Sequence, residues 1–157
     1  AFRLTLAGDY TTLHDFDGGD GRKILSGLVE GPDGWFYGVA FAGGANNDGT
    51  LFRLNRDGEF TVLRSFDRHG NGAHPGDLLF GRDGLLYGTT KAGGRGHGTV
   101  YRAGLDGHIE VLHQFDGGMD GDLPLAGLVE RDDGEFFGIT SAGGEFARGT
   151  IFRLRLK

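Results

Sequence analysis

Acidic and histidine side chains set among glycines are the residues of this sequence that offer chemistry. Asp17-Gly18-Gly19-Asp20 and Asp116-Gly117-Gly118-Met119-Asp120-Gly121-Asp122 hold carboxylates in tight turns, the setting in which calcium finds oxygen ligands. Neither has the spacing of an EF-hand, and the matching stretch Asp67-Arg68-His69-Gly70-Asn71 is poorer in acid. His69, His74 and His97 could ligate zinc, but the chain contains no helical i,i+4 His pair and no His-x-His. Cysteine is absent, which excludes disulfides, a Cys-zinc site and a thiol nucleophile. No metal or cofactor is assigned.

Covalent and acid–base catalysis find equally little support. Ser26, Ser65 and Ser141 lie in no nucleophile-elbow context. Gly43-Gly44, Gly93-Gly94 and Gly143-Gly144 resemble a phosphate cradle only in composition, because no Lys-Ser/Thr pair or helix follows. With 22 acidic residues, carboxylate pairs arise by chance, and spacing alone cannot select a glycosidase pair. Only Glu30 and Glu130 stand out as acids on the strands expected to be innermost. The sequence alone therefore predicts no catalytic residue and no enzyme.

The bulk properties narrow the partners. The formal charge of −6 is mixed along the chain without a basic run, which argues against nucleic acid. No apolar run approaches the about 18 residues of a membrane span, and no segment reads as a signal peptide. The chain starts at Ala1 without Met, which leaves room for a removed targeting segment. Glycine fills 33 of 157 positions, roughly three times ordinary usage, yet 13 Phe and 38% hydrophobic residues argue against disorder.

The elements that hold these loops repeat. AFRLTLAGDYTTLHDF (1–16) recurs as LFRLNRDGEFTVLRSF (51–66) and VYRAGLDGHIEVLHQF (100–115), and begins again as IFRLRLK (151–157). SGLVEGPDGWFYGVAFAGG (26–44) recurs at 76–94 and 126–144. Each unit reads as four short strands, a to d, with hairpin turns at Asp33-Gly34, Asp83-Gly84, Asp133-Gly134, Asp57-Gly58 and Asp106-Gly107. In the second full copy the strands are Asp77–Phe80, Leu85–Thr90, Thr99–Ala103 and Ile109–Phe115. Four antiparallel strands at a period near fifty predict an all-β fold, a β-propeller with three blade equivalents per chain.

The combined pattern resembles the GloVer-type (choice-of-anchor) tandem-repeat β-propeller family of bacterial surface and secreted proteins. It is carried best by Asp83-Gly84-Leu85-Leu86-Tyr87-Gly88-Thr89-Thr90, Gly93-Gly94 and Gly98-Thr99-Val100-Tyr101. The resemblance covers essentially the whole chain and implies a propeller-like fold in an extracellular or cell-surface setting. It implies no catalytic residues.

The expected strand order is c-d, a-b-c-d, a-b-c-d, a-b-c. It divides the single repeat domain 1–157 into a half-blade 1–25, blades 26–75 and 76–125, and a partial blade 126–157. The N-terminal strands, or another chain, would complete the partial blade, and an unsealed edge favours self-association into a ring. Either terminal c strand, around Phe2 or Phe152, must then be displaced. The aromatics of two slots, Phe16/Phe66/Phe115 and Phe2/Phe52/Tyr101/Phe152, are expected in the core. Arg3, Arg53, Arg102 and Arg153 are expected to pair with Asp17, Asp67 and Asp116, with solvated arginines as the alternative.

The segments that differ between copies gather on one face and hold the binding candidates Asn46, Asn47, Asp48, His69, His74, Arg95, His97, Phe146 and Arg148. The function expected is a non-enzymatic binding or assembly scaffold with a glycan or protein ligand. The alternatives are a carbohydrate-binding propeller and a fragment of a larger propeller hydrolase or lyase.

Overall fold

Short β-forming runs punctuated by glycine turns fold into antiparallel sheets in the computed structural model, which describes residues 1–131 and 134–156. β1 (Phe2–Leu4) and β2 (Tyr10–Thr12) form a two-stranded sheet. A four-stranded meander follows, β3 (Val29–Glu30), β4 (Phe36–Ala40), β5 (Thr50–Leu54) and β6 (Phe60–Ser65). A second comprises β7 (Ala73–Phe80), β8 (Leu86–Ala92), β9 (Thr99–Ala103) and β10 (Ile109–Gln114). The last sheet has three strands, β11 (Val129–Glu130), β12 (Glu135–Ile139) and β13 (Ile151–Arg155). The chain is all-β, and each meander is one propeller blade of about fifty residues. Among the described residues no helix is long and apolar enough to cross a membrane.

The Asp-Gly turns close as the residue types require. Gly34 and Gly84 take φ of 78° and 83°, while the N–H of Gly31 and of Gly81 bonds the carbonyl of Trp35 and Leu85, each at 2.8 Å. The aspartate has a second task. Tyr37 donates its hydroxyl to Asp33 at 2.7 Å, and Tyr87 donates to Asp83 at 2.6 Å. Asp133 of the third turn lies outside the described residues, and there Phe137 fills the tyrosine slot.

Burial and the aspartate bond push both tyrosines up to about 12 from 10.0. The folded chain therefore holds these protons more tightly than the unfolded one. That stability is complete below pH 10 and is lost as pH rises toward 12. Replacing either tyrosine by Phe should lower stability at pH 7 by about 1.5–3 kcal/mol, the range for a hydrogen bond to a charged group. The Tyr37→Phe/Tyr87→Phe pair should also flatten the alkaline loss, read by urea melts between pH 8 and 12.

Blades pack face to face through three apolar layers. Ala1, Leu13 and Phe16 meet Ala40, Phe52 and Leu54. Tyr37, Val39 and Leu51 meet Leu78, Leu86 and Tyr101, with Phe66 between them. Tyr87, Val100 and Phe115 meet Leu128, Phe136 and Phe152. One edge-to-face contact recurs at each junction, Phe16–Phe52, Phe66–Tyr101 and Phe115–Phe152, with ring centroids 5.2, 5.3 and 5.2 Å apart. Gly38 and Gly88 make room for these rings, since a Cβ there would come within 2.6 Å of the Phe52 ring and of the Tyr101 hydroxyl.

Two sequence expectations fail. Phe2 shares its slot with Phe52 and Tyr101 but is 62% exposed, because no other blade packs over it among the described residues. The Arg–Asp pairs do not form. Asp17, Asp67 and Asp116 instead accept the N–H of Gly19, His69 and Gly118, which closes the turn after the fourth strand. The arginines lie toward the opposite, turn end of their strands. Arg53 covers the Trp35 ring at 4.4 Å, Arg102 pairs with Glu110 at 2.7 Å, and Arg153 lies 3.7 Å from Glu135.

Candidate functional site

Antiparallel strands bring two loops of each blade to one face, the b–c loop and the d–a loop that leads to the next blade. Gly43 and Gly44 dock one on the other. Both have positive φ, the Gly44 N–H bonds the Gly18 carbonyl at 3.1 Å, and a Cβ on Gly43 would strike that oxygen. Lys23, His74 and Leu123 end the d–a loops with left-handed φ of 57°, 61° and 54°. Since all three copies share it, this backbone belongs to the blade and not to a special site.

Between the β4–β5 loop and the loop after β6 lies a polar cleft of about 530 Å³, lined by Asn46, Asn47, Asp48, Asp67, Arg68, His69 and His74. Asp48 organises it. Its Oδ2 accepts the Arg68 N–H at 2.9 Å, its Oδ1 lies 3.3 Å from Arg68 Nη2, and its carbonyl accepts the His74 N–H at 2.8 Å. His74 stacks on Phe41 and bonds the Phe41 carbonyl through Nδ1 at 3.0 Å, so that nitrogen carries the proton. Nε2 is left as an acceptor facing Arg68 Nη2 at 3.5 Å. Asn46 donates to the Phe66 carbonyl, and Asn47 Oδ1 accepts from Arg22 and from the Gly43 N–H.

The cleft thus gathers Asn46, Asn47, Asp48, His69 and His74 from the nine expected residues. Arg95 and His97 sit one blade further on, where His97 Nδ1 lies 3.1 Å from Asp122. Phe146 and Arg148 are exposed on the b–c loop of the last sheet. Sequence reasoning missed Arg68, although its signal was present: it replaces the glycine found at Gly18 and Gly117. It also missed the paired His14–Asp20 and His113–Asp120 contacts at 2.6 and 3.0 Å. Among the described residues no group of three or more His, Asp or Glu is placed to hold a metal. Glu30 and Glu130 lie by the turns of the opposite face, Glu30 3.3 Å from Arg56 and Glu130 accepting the Arg82 N–H at 3.0 Å.

The two ends of the blade array form a second kind of site. Ile151 is 82% exposed, whereas Leu51 and Val100 in the same slot are at 0%. Ile139 and Val129 beside it are exposed too, while Val39 and Thr89, which share the slot of Ile139, are buried. At the other end Phe2, Leu4 and Tyr10 are exposed, against buried Phe52 and Leu54. There a cleft of about 480 Å³ runs past Ala1, Phe2, Phe16, Ile24, Leu28 and Phe52, on the side where the first two strands of a blade would stand. β5 and β9 each carry a strand on their outer edge, and β13 has none among the described residues.

The repeat pattern that builds these blades matches the Gloeobacter/Verrucomicrobia repeat over residues 1–157. The chain belongs to the Gloeobacter/Verrucomicrobia repeat family. No curated protein matches it. Among solved structures, this repeat chain is similar to a protein provisionally assigned as a gluconolactonase, at 18% identity and a TM-score of 0.51. The likeness covers 87% of this chain and 48% of that one, so the repeat chain spans about half the length of the solved protein. At that identity it shows the fold. It also corrects the expectation that the chain is no enzyme: the same architecture carries an enzyme assignment in the solved protein, so lack of a familiar motif does not exclude catalysis.

Proposed function

We propose that this chain is an assembly and binding module of the bacterial cell surface, whose open blade array closes into a propeller ring with a second copy. The observation that carries the reading is the contrast within repeat slots: Ile151 and Ile139 stand in water where Leu51, Val100, Val39 and Thr89 are buried between blades. The two ends are complementary by construction, because they are the two sides of the blade-to-blade contact already present inside the chain. The solved gluconolactonase-like structure supports the count, since its chain has room for about two such arrays.

The energetics are adequate. Ile139, Ile151, Val129 and the half-exposed Leu28 at the opposite end each stabilise by about 1.5–3 kcal/mol when fully buried, so one interface gains about 5–10 kcal/mol. That is comparable to the about 4–15 kcal/mol lost in joining two molecules. The second interface then forms within the same particle and carries no further translational loss. The ring would present its loop-face clefts on one side, where amide, carboxylate, guanidinium and imidazole groups suit a small polar ligand. The repeat family's link to surface proteins supports the location. Light scattering after size exclusion tests assembly: a particle of twice 16.8 kDa is expected, and a mass of 16.8 kDa at all concentrations contradicts it.

A further inference from the structure

We infer that closure proceeds by strand exchange: β2 of one copy leaves its own β1 and pairs with the free edge of β13 in the other. The inference rests on the ring-closing reading above and specifies how the joint is made. β1 and β13 carry the same triplet, Phe2-Arg3-Leu4 and Phe152-Arg153-Leu154. β2 now pairs with β1 as Phe2↔Thr12, Arg3↔Thr11 and Leu4↔Tyr10. The complete blade β3–β6 uses the same register, Phe52↔Val62, Arg53↔Thr61 and Leu54↔Phe60. β13 can therefore receive the partner's Thr12, Thr11 and Tyr10 opposite Phe152, Arg153 and Leu154 without a slip of register.

Three observations favour β13 over β1 as the lasting partner of β2. β13 is anchored, with five residues paired to β12 and Phe152 packed on Phe115, whereas β1 has three residues and pairs only with β2 among the described strands. The backbone has a ready template: the N–H groups of Phe66 and Phe115 bond the carbonyls of Gly49 and Gly98 at 2.9 and 3.0 Å, so Phe16 would bond the partner's Gly149. Charge agrees as well. Each b–c loop carries a polar residue before its last glycine, and Asp48 and His97 meet Arg68 and Asp122 on the adjoining d–a loop. The third such residue, Arg148, is exposed, and the d–a loop after β2 holds Asp17 and Asp20. The exchanged joint is a four-stranded blade, β11-β12-β13 with the partner's β2, and β1 is the surplus strand.

The chain has no cysteine, so crosslinking is clean. A Thr11→Cys protein mixed with an Arg153→Cys protein and gently oxidised should give a disulfide-linked pair, since residues opposed across strands lie at bridging distance. An Arg3→Cys/Thr11→Cys chain, oxidised at low concentration, pins β1 on β2; dimerisation should weaken on the order of tenfold or more and return on reduction. Deleting residues 1–5 should strengthen dimerisation. A dimer that gives no 11–153 crosslink and ignores the pin overturns strand exchange and leaves ring closure standing. A wild-type chain that never dimerises overturns both.

Discussion

Phe66→Ala should destabilise the chain by about 3–5 kcal/mol, the range for emptying a buried aromatic site. Phe66 is fully buried between the two complete blades, edge-on to Tyr101 at 5.3 Å. Domains of this size have about 5–15 kcal/mol in total, so the variant forfeits a large part of its stability. Phe16→Ala, in the same repeat slot but only half-buried at the open end, should lose clearly less in an isolated chain. Urea midpoints of the two variants decide the matter. Equal losses would mean that the end of the array is as well packed as its middle, contrary to the open-blade description.

Ile139→Lys combined with Ile151→Lys should leave the folded chain almost unchanged, within about 0.5 kcal/mol, because both side chains already face water. Dimerisation should weaken by at least about 100-fold, since two apolar contacts are lost at each interface and an ammonium is desolvated in their place. The interior counterparts give the contrast. Val39→Lys or Leu51→Lys in the same slots should unfold the chain, because those positions are sealed between blades. If the double lysine variant assembled as well as wild type, the exposed face would have no part in closure.

These variants depend on features that the sequence revealed unevenly. The third strand of the second copy, Thr99–Ala103, falls where its apolar run and flanking glycines put it, and the Asp-Gly turns take the positive φ expected of them. By contrast β7 begins at Ala73, four residues before the expected Asp77. His74-Pro75-Gly76 reads as loop by residue type, yet it joins the sheet through an irregular register between Pro75 and Leu78. The exposure of Phe2 was hidden for a different reason: a repeat slot records what a residue does inside the array, not whether a neighbouring blade is there to cover it.

The site followed the same division. Loop variability drew attention to Asn46, Asn47, Asp48, His69 and His74, which do line one cleft. It could not show that Arg95, His97, Phe146 and Arg148 belong to other junctions, because blade spacing separates equal loop positions. The Asp17, Asp67 and Asp116 series illustrates the limit of counting charges. Their nearest donors are backbone N–H groups two residues on, a contact that any distant arginine must outcompete. Catalytic capacity was the least legible property, since function resides in local sites that a fold alone does not specify.

Ring closure is tested most directly by small-angle X-ray scattering of the wild-type protein in dilute solution. Two copies joined into one closed particle should give a radius of gyration of about 20 Å, with a distance distribution that ends sharply at the diameter of a disc. A radius of about 15 Å, unchanged as concentration rises, would mean that the three blade equivalents remain a single open array and would contradict the assembly account.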